Sequence, residues 1–381
     1  MRTTYWVPGA RRRGFSLVAG LALLCLAGTM VAGSPARAAE PPTAKSELLT
    51  TGDGYGQPRG SKPVRLLQRR LRTLGLRPGA VDGLFGPQTT AAVERFQHAA
   101  GLQVDGIVGP HTRGTLGRAF ARICEQRGLE HVLLSRSDLD IADADSVDAA
   151  LAKYEPWAVV NAAGYVRVDD AEYEVDLCYR ENALGPQNLA SFCARDRVAL
   201  ITFSTDLVFD GERGEPYVES NTPAPLNVYG RSKAEAECRV LERHPAALVV
   251  RTSAFFGPWD EYNYVTLVLR ALRAGKPFLA ATDLVVSPTY VPDLVNTVLD
   301  LLVDGASGIW HLTNNDAVTW SELATRVADG ANVSARSLVN CRSTALDFIA
   351  RRPRYSALTS SRSMLMPSLS SSLARYMALT A

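Results

Sequence analysis

Helical segments and short apolar runs alternate through the last two thirds of the chain. In order they are RAFARICEQRG (118–128) and HVLLS (131–135), SVDAALAKY (146–154) and AVVNAAG (158–164), ALGPQNLASFCARD (183–196) and ALITFSTD (199–206), and KAEAECRVLERH (233–244) and ALVVRTSAFFG (247–257). Short apolar runs are typical of buried strands, and strands separated by helices form parallel sheets with helices on both faces. The sequence therefore predicts a doubly wound α/β domain over residues 114–381.

Charge and histidine spacing restrict the partners. The 41 basic and 39 acidic side chains give a formal net charge of +2, which makes no electrostatic case for nucleic acid or anionic lipid. The five histidines show no H-E-x-x-H pair or other ligand spacing. We therefore predict no nucleic-acid partner and no metal site. The sequence does not indicate an oligomeric state.

The first 39 residues have the features of a secretory signal peptide. RRRGF (11–15) supplies the positive charge, an apolar run follows, and SPARAAE (34–40) contains a small-x-small cleavage pattern. Residues 40–63, rich in Pro, Gly, Ser and Thr, are predicted to be a linker. We therefore expect a secreted or cell-wall-associated protein. An uncleaved membrane anchor is the alternative, because the apolar run approaches spanning length.

The cysteines favour a different location. Outside the apolar leader they are five in number, widely spaced and without a C-x-x-C pair: Cys124, Cys178, Cys193, Cys238 and Cys341. Four of them lie in apolar or helical contexts, where a free thiol behaves as a small core hydrophobe. Since such thiols suit a reducing compartment, a cytoplasmic location is the second expectation.

Two helical patterns with repeated turns precede the α/β region. VRLLQRRLRTLGL (64–76) and TTAAVERFQHAAGL (89–102) carry apolar residues at helical spacing. The turns form a doubled pattern, VDGLFGPQT (81–89) and VDGIVGPHT (104–112). These residues resemble the peptidoglycan-binding domains found beside many cell-wall enzymes. The resemblance implies a small helical module over residues 64–113 with peptidoglycan as its partner.

Nine motifs of the α/β region point together to one family. They are LDIAD (139–143), NAAGYVRVDDAE (161–172), ENALGPQNLA (181–190), STDLVFDG (204–211), PLNVYGRSK (225–233), VVRTSAFFG (249–257), VSPTYVPDL (286–294), GIWHLTN (308–314) and RPRYSAL (352–358). With them the chain resembles the extended short-chain dehydrogenase/reductase superfamily and, within it, the dTDP-4-dehydrorhamnose reductase family. The resemblance implies a Rossmann-type sheet with NADPH, or less favourably NADH, as cofactor. A nucleotide-linked 4-keto-6-deoxy sugar would bind to a smaller substrate region over residues 251–381.

The candidate catalytic residues lie in two of these motifs. Tyr229 and Lys233 are four residues apart on one face of a predicted helix, where an ammonium can lower the pKa of a phenol and suit it to general acid catalysis. The resemblance implies that Tyr229 delivers the proton, that Thr205 hydrogen-bonds the substrate carbonyl and that Lys233 also holds the nicotinamide ribose. Asp206 matches the family's supporting acid. Leu207 stands where the family usually has Tyr, so the resemblance does not predict the substrate pocket.

The resemblance also implies ligand contacts outside the catalytic set. Those assigned to the dinucleotide are Gly114, Leu116, Gly117, Arg136, Asp140, Ile141, Asn161, Ala162 and Ala163. Arg136 follows the strand HVLLS, where a cation can meet a 2′-phosphate and so favour NADPH; a solvated surface charge is the alternative. Arg251 and Trp259 lie where sugar-nucleotide contacts are expected. A core or rim position is the alternative for Trp259.

The junction between the two modules lacks part of the family pattern. The family's domain begins with an apolar strand and T-G-x-x-G-x-x-G, which would align Ile107 and Val108 with the strand and His111 with the first glycine. Pro110 suits the first turn of a helix. We therefore predict one helix from about His111 to Gln126, no strand before it, a sheet lacking its first strand, and a weakened phosphate turn.

Two functions are consistent with these features. The first is NAD(P)H-dependent reduction of a nucleotide-linked 4-keto-6-deoxy sugar by a chain that also carries a peptidoglycan-binding module. It is favoured by the intact set of Thr205, Tyr229 and Lys233. The second is an exported cell-wall-binding protein whose reductase-like domain is inactive, favoured by the leader and the incomplete glycine pattern. A regulatory subunit is a weaker third.

Overall fold

A computed structural model describes residues 23–26, 55, 60–73, 75–99, 115–136, 138–260, 263–362 and 366–380. Within these ranges the strands are β1 (Leu23–Leu26), β2 (His131–Leu134), β3 (Ala158–Asn161), β4 (Ala199–Thr205), β5 (Leu248–Thr252), β6 (Phe255–Phe256), β7 (Phe278–Ala281), β8 (Val285–Val286), β9 (Thr289–Tyr290), β10 (Gly308–His311), β11 (Val318–Thr319) and β12 (Leu338–Cys341). The α-helices are α1 (Lys62–Thr73), α2 (Pro87–Ala99), α3 (Thr115–Gln126), α4 (Ala144–Tyr154), α5 (Val175–Tyr179), α6 (Gly185–Asp196), α7 (Val228–Arg243), α8 (Tyr264–Arg273), α9 (Val291–Val303), α10 (Trp320–Gly330) and α11 (Leu369–Thr380).

The largest sheet has six parallel strands in the order β10-β5-β4-β3-β1-β2. From β1 the chain continues to β2 on one side and then crosses to β3 on the other side, so the strand order reverses at β1. In open α/β sheets, ligands bind beyond the carboxyl ends of the strands at such a point. The predicted doubly wound, Rossmann-type fold is confirmed.

The strand at this reversal point comes from the apolar N-terminal run. Leu24 pairs with Val132 of β2 and with Val159 of β3, in parallel on both sides. The prediction of a sheet lacking its first strand is therefore wrong for the sheet as a whole. A parallel strand does not have to be adjacent in sequence to the helix that follows it, and here it comes from a segment far upstream of α3. The sheet thus takes one strand from the range predicted to be a signal peptide.

The helical module lies in the chain between β1 and α3. In other words, α1 and α2 interrupt the β1-α3-β2 unit between its first strand and its first helix. The predicted helix at the junction is present as α3 and ends at Gln126 as expected. Its expected start near His111, together with Ile107, Val108 and Gly114, lies outside the described residues.

Both faces of the sheet are covered, which explains the continuous apolar runs of its strands. Adjacent residues of one strand face opposite layers. One layer contains Phe120, Ile123, Val160, Ile201, Val250, Val295 and Val298, from α3, α9 and three strands. The other contains Leu151, Val159, Leu189, Leu200, Val240 and Val249, from α4, α6, α7 and the same strands. A third cluster joins α8, α10 and α11 in the C-terminal region.

The helical module has its own small core and a set of buried hydrogen bonds around Gln68. Val64, Leu71, Phe85, Ala92 and Val93 form the core. The buried Gln68 amide donates to Asp82 Oδ1 at 2.8 Å and accepts from the Gly83 N–H at 2.9 Å. Gly83 has φ +80°, a conformation that favours glycine. The L-Q and D-G elements of the sequence pattern therefore meet in one hydrogen-bonded turn.

The five cysteines outside the apolar leader are free thiols in this structure. Cys124, Cys178 and Cys193 are buried, Cys341 is half-buried and Cys238 is exposed. Burial raises the pKa of Cys124 to about 11 and that of Cys193 to about 12. In the described ranges no helix is both long enough and apolar enough to cross a membrane.

Candidate functional site

The carboxyl end of β4 carries the first two candidate residues. Thr205 is the last residue of β4, and its hydroxyl caps the following turn by accepting the Leu207 N–H at 3.2 Å. The same hydroxyl lies 3.0 Å from Asp206 Oδ1, within hydrogen-bonding distance. Both side chains are buried. The S-T-D sequence thus places a hydroxyl and a carboxyl side by side where the parallel sheet opens.

The helix α7 brings Tyr229 and Lys233 to this point. Asn227 caps the helix, because its side-chain oxygen accepts the Gly230 N–H at 2.7 Å. A Cβ on Gly230 would lie 2.1 Å from the Leu207 carbonyl oxygen, so only glycine lets the helix start against the turn after β4. This close approach explains the glycine of Y-G-R-S-K. It places Tyr229 near Thr205, whose hydroxyl acts to lower the pKa of the phenol against the effect of burial.

The electrostatics of the pair differ from the prediction. Lys233 Nζ donates to the Phe203 carbonyl oxygen at 3.1 Å, and burial lowers the pKa of Lys233 to about 8. Burial of its hydroxyl raises the pKa of Tyr229. The expectation that Lys233 lowers this pKa is therefore wrong for this structure. Burial disfavours the charged form of both groups, which raises the pKa of the phenol and lowers that of the ammonium.

Three further residues complete the surroundings of Lys233. Asn182 is fully buried; its Oδ1 accepts the Tyr165 N–H at 2.8 Å and its Nδ2 donates to Ser232 Oγ at 3.0 Å. A Cβ on Gly164 would lie 3.3 Å from Lys233 Nζ. The E-N-A-L-G and N-A-A-G motifs thus meet at Lys233. Asn182, Ser232 and Gly164 were not among the predicted site residues, although all three lie inside quoted motifs.

The predicted dinucleotide contacts fall into two groups. Asn161 is the last residue of β3. Its buried amide donates to Thr202 Oγ1 and accepts the Ala163 N–H, which fixes the loop that contains Ala162 and Ala163. Ile141 is buried against Gly185, where a Cβ would lie 2.6 Å from its side chain. These residues build the loop walls at the carboxyl ends of β2 and β3.

Arg136 belongs to a cluster of four charges at the end of β2. Its guanidinium lies 2.5 Å from Glu181 and 3.7 Å from Asp140, and Arg180 contacts the same two carboxylates at 2.7 Å each. The hydrogen bonds from Arg180 and the Ala142 N–H outweigh burial and hold the pKa of Asp140 below its usual value. Arg136 is thus not a simply solvated charge. Arg180 was missed because a carboxylate pair shared by two arginines is not visible in sequence spacing.

The remaining predicted contacts lie around α3. Leu116 is half-buried against the core layer and Gly117 is buried, while Gly114 lies outside the described residues. Trp259 is half-buried against the same layer, and the Arg122 guanidinium lies over its ring at 5.6 Å. Trp259 therefore occupies a rim position in this structure, which is the alternative expected for it.

Arg251 is not positioned to contact a ligand. Its side chain is 1% exposed and makes two hydrogen bonds with Glu237, at 2.8 and 2.6 Å. Its guanidinium also contacts the Glu219 carbonyl oxygen and His311. The predicted substrate contact is corrected accordingly. An arginine on the central strand β5, buried under α7, needs a carboxylate there, and Glu237 supplies it.

Breaking this pair should destabilise the domain. Glu237→Ala leaves a buried guanidinium without its partner, and we expect a loss of about 3–5 kcal/mol in the free energy of unfolding. Chemical denaturation of the full chain measures it. The matched control is Glu215→Ala, which removes the exposed pair with Arg213 and should cost about 0–1 kcal/mol. Equal losses in the two variants would contradict the assignment.

Two family models match the chain. The RmlD substrate binding domain matches residues 107–372, and a peptidoglycan binding domain matches residues 60–116. The two matches overlap over residues 107–116, which is the junction that both sequence patterns share. Over the described residues, no group of three or more His, Cys, Asp or Glu side chains is arranged to hold a metal ion.

Curated relatives and solved structures agree with the first match. A dTDP-4-dehydrorhamnose reductase of Aggregatibacter actinomycetemcomitans is 35% identical over 261 residues, which cover 64% of this chain and 87% of that protein. A protein of the same name from Streptomyces griseus is 36% identical over 260 residues, covering 65% and 84%. The crystal structure of dTDP-4-dehydrorhamnose reductase from Bacillus anthracis in complex with NADP superimposes with a TM-score of 0.66 at 30% identity, covering 69% of this chain and 95% of that one.

Proposed function

The chain belongs to the family of the RmlD substrate binding domain, and from this premise we propose that its α/β domain reduces a nucleotide-linked 4-keto-6-deoxy sugar with NADPH. The observation that carries the proposal is the assembly of Thr205, Tyr229 and Lys233 at the carboxyl end of β4, next to the point where the strand order reverses. NADPH is proposed over NADH because the relative from Bacillus anthracis was solved with NADP.

The residues around Lys233 fit the nicotinamide end of such a cofactor. Lys233 Nζ has three hydrogens and one carbonyl acceptor at Phe203, which leaves donors for ribose hydroxyls. Gly164 keeps the space beside Nζ open. At the adenosine end, Arg136 and Arg180 would supply the positive charge that binds a 2′-phosphate. The phosphate would compete there with the carboxylates of Glu181 and Asp140, which the two arginines contact in this structure. The bound cofactor would supply a hydride to the carbonyl carbon of the sugar.

The protein's own part in the reduction is proton transfer and positioning. Tyr229 is the proton donor to the carbonyl oxygen, since its raised pKa keeps the phenol protonated at neutral pH. Thr205 lies beside Tyr229 and has a single hydrogen, which we assign to the Tyr229 oxygen rather than to the carbonyl oxygen. Lys233 holds the ribose and, when charged, stabilises the phenolate left by the transfer. The direct test is oxidation of NADPH by the full chain in the presence of a dTDP-linked 4-keto-6-deoxy sugar, followed by its absorbance. No oxidation above that of a Lys233→Met variant would favour the inactive reductase-like domain.

The second ligand that we propose is peptidoglycan, bound by the helical module. This part of the proposal rests on the family match over residues 60–116 and on the hydrogen bonds between Gln68 and the turn at Asp82 and Gly83. A depression of about 410 Å³ between the loop at Arg77 and Gly79 and the helix α2 offers an accessible surface for it. In the form with an intact reductase the module would bind peptidoglycan fragments, while the α/β domain acts on a soluble sugar nucleotide.

Co-sedimentation should separate the two domains. We expect the full chain to co-sediment with insoluble peptidoglycan, and a chain lacking residues 60–113 to remain in solution. The deletion leaves β1 and α3 in place, joined by residues 27–59 and 114, so the reductase assay and the thermal unfolding of the α/β domain serve as controls. Equal sedimentation of both proteins would contradict the assignment of peptidoglycan to this module.

The location of the reductase is part of the same proposal. We infer that the form with a complete sheet retains Leu23–Leu26 and stays in the cytoplasm, where NADPH is available. The pairing of β1 with β2 and β3 and the free buried thiols support this inference. A secreted or cell-wall-associated form, cleaved near Ala36–Ala38, remains the prediction from the leader, and it would lack β1.

A further inference from the structure

Three hydroxyl groups surround one buried carboxyl at the proposed active site. Ser356 Oγ and Ser253 Oγ lie 2.5 and 2.8 Å from Asp206 Oδ2, and Thr205 Oγ1 lies 3.0 Å from Oδ1. The Asp206 residue is 5% exposed. In the described part of the chain, no lysine or arginine forms an ion pair with it. Ser253 follows β5 and Ser356 lies in the R-P-R-Y-S-A-L motif, so three distant segments converge on this carboxyl.

The hydrogens around Thr205 restrict the protonation state of Asp206. A hydroxyl has one hydrogen and two lone pairs. The Leu207 N–H occupies one lone pair of Thr205 Oγ1. With Asp206 as a carboxylate, the single hydrogen of Thr205 is directed at Asp206 and none is left for Tyr229 or a substrate. With Asp206 as a neutral acid, its own O–H is donated to Thr205, and the hydrogen of Thr205 is free to turn towards Tyr229.

We propose that Asp206 rests as a neutral carboxylic acid and serves as the proton reservoir that recharges Tyr229 through Thr205. When the substrate oxygen takes the proton of Tyr229, the phenolate takes the hydrogen of Thr205, and Thr205 takes the proton of Asp206. Each O–H bond breaks as the next one forms. The negative charge moves from Tyr229 to Asp206, and water returns a proton to Asp206 between turnovers. Asp206 is therefore a positioning residue that acts through Thr205.

Two features of the site support this direction of transfer. The charge ends on a carboxyl, which is a stronger acid than a phenol, and three hydroxyls are in place to stabilise it there. Burial raises the pKa of Asp206, while hydrogen bonds from Ser356, Ser253 and Thr205 act in the opposite direction. Tyr229 on α7 is the ionisable group that interacts with it electrostatically. Ser356 and Ser253 thus stabilise the Asp206 carboxylate that the relay leaves, and they keep the pKa of Asp206 low enough for it to give up its proton.

Infrared spectroscopy of the full chain without substrate tests the resting state. At neutral pH we expect a C=O stretching band of a carboxylic acid that is absent in Asp206→Asn. Ser356→Ala removes one donor to the carboxylate, so the midpoint at which this band disappears should rise by roughly one pH unit. The matched control is Ser287→Ala. It removes hydrogen bonds to Leu358 in the same C-terminal segment but none to Asp206, and should leave the midpoint unchanged.

Kinetics test the relay, which rests on the proposed function. Asp206→Asn should lower kcat by about 10²-fold, the lower end of the effect of a proton-transfer group, with little change in KM. An active wild-type chain without the band, or a midpoint that does not move in Ser356→Ala, overturns the reservoir alone. A wild-type chain that shows the band but reduces no sugar nucleotide overturns the proposed function and the relay with it. If Asp206→Asn does not fold, the midpoints in the wild type and Ser356→Ala decide the question.

Discussion

Removal of residues 1–38, as cleavage after Ala38 would cause, is expected to unfold the α/β domain while leaving the helical module folded. Four residues of β1 pair with β2 and three pair with β3, in the interior of a six-stranded sheet. Without β1, the facing edges of β2 and β3 lose their backbone partners. Each buried N–H or C=O left unpaired costs about 1–3 kcal/mol, so several of them equal the net stability of a domain, about 5–15 kcal/mol.

The comparison is between two truncations of the same chain. A chain starting after Gly20 retains Leu23–Leu26 and should melt as the full chain does, whereas a chain starting after Ala38 should lose the cooperative transition of the α/β domain. Far-UV circular dichroism and limited proteolysis measure both. The module has a separate core around Phe85 and Val93, so its fragment should survive digestion. Identical melting curves for the two truncations would show that β1 is not needed.

A point substitution separates the strand from the length of the leader. Leu24→Pro removes a backbone N–H from the middle of β1, and a central strand does not tolerate this loss. It should destabilise the domain by about 3 kcal/mol or more. Val18→Pro, outside Leu23–Leu26, is the control for a proline in the leader. Together the variants test whether β1 itself, rather than the length of the leader, is needed for the α/β domain to fold.

Much of the large domain was predictable because its signals are local. Runs such as Ala158–Asn161 and Leu248–Thr252 are short, apolar and separated by helices, and both are interior strands buried on two faces. The catalytic set was predictable for the same reason, since S-T-D and Y-G-R-S-K are each a short continuous segment. The pattern of spacing therefore identified the strand end and the helix that form the site.

The misses concern contacts between distant segments. Nothing local to Leu23–Leu26 distinguishes a strand from the apolar core of a signal peptide, because both need a short apolar run. Arg251 was assigned to substrate because its partner Glu237 lies on another element, and only the packing of α7 on β5 brings the two together. Ser356 was passed over likewise, being 150 residues from the carboxyl that it contacts.

Replacing Tyr229 by phenylalanine is expected to lower the rate of sugar reduction by about 10²–10⁴-fold, the range for loss of a positioned proton donor. The ring would keep its packing against Cys178 and Val228, and Lys233 would keep its contact with Phe203, so NADPH binding and thermal stability should be unchanged. Cofactor titration and steady-state kinetics of the full chain measure both effects. Tyr154→Phe, at the end of α4 and away from the site, is the matched control and should retain full activity.

The size of this loss also distinguishes the proposed acid from its neighbours. If Thr205 could pass the proton of Asp206 directly to the carbonyl oxygen, Tyr229→Phe would retain much of the rate, and the double variant Tyr229→Phe with Asp206→Asn would lose far more than either alone. If Tyr229 is the obligatory donor, the two losses are not additive, because a reservoir has no effect once the group that it recharges is gone. We expect the second result, since the relay from Asp206 reaches the substrate only through the Tyr229 oxygen. A rate for Tyr229→Phe equal to that of the wild type would rule out the family mechanism for this chain.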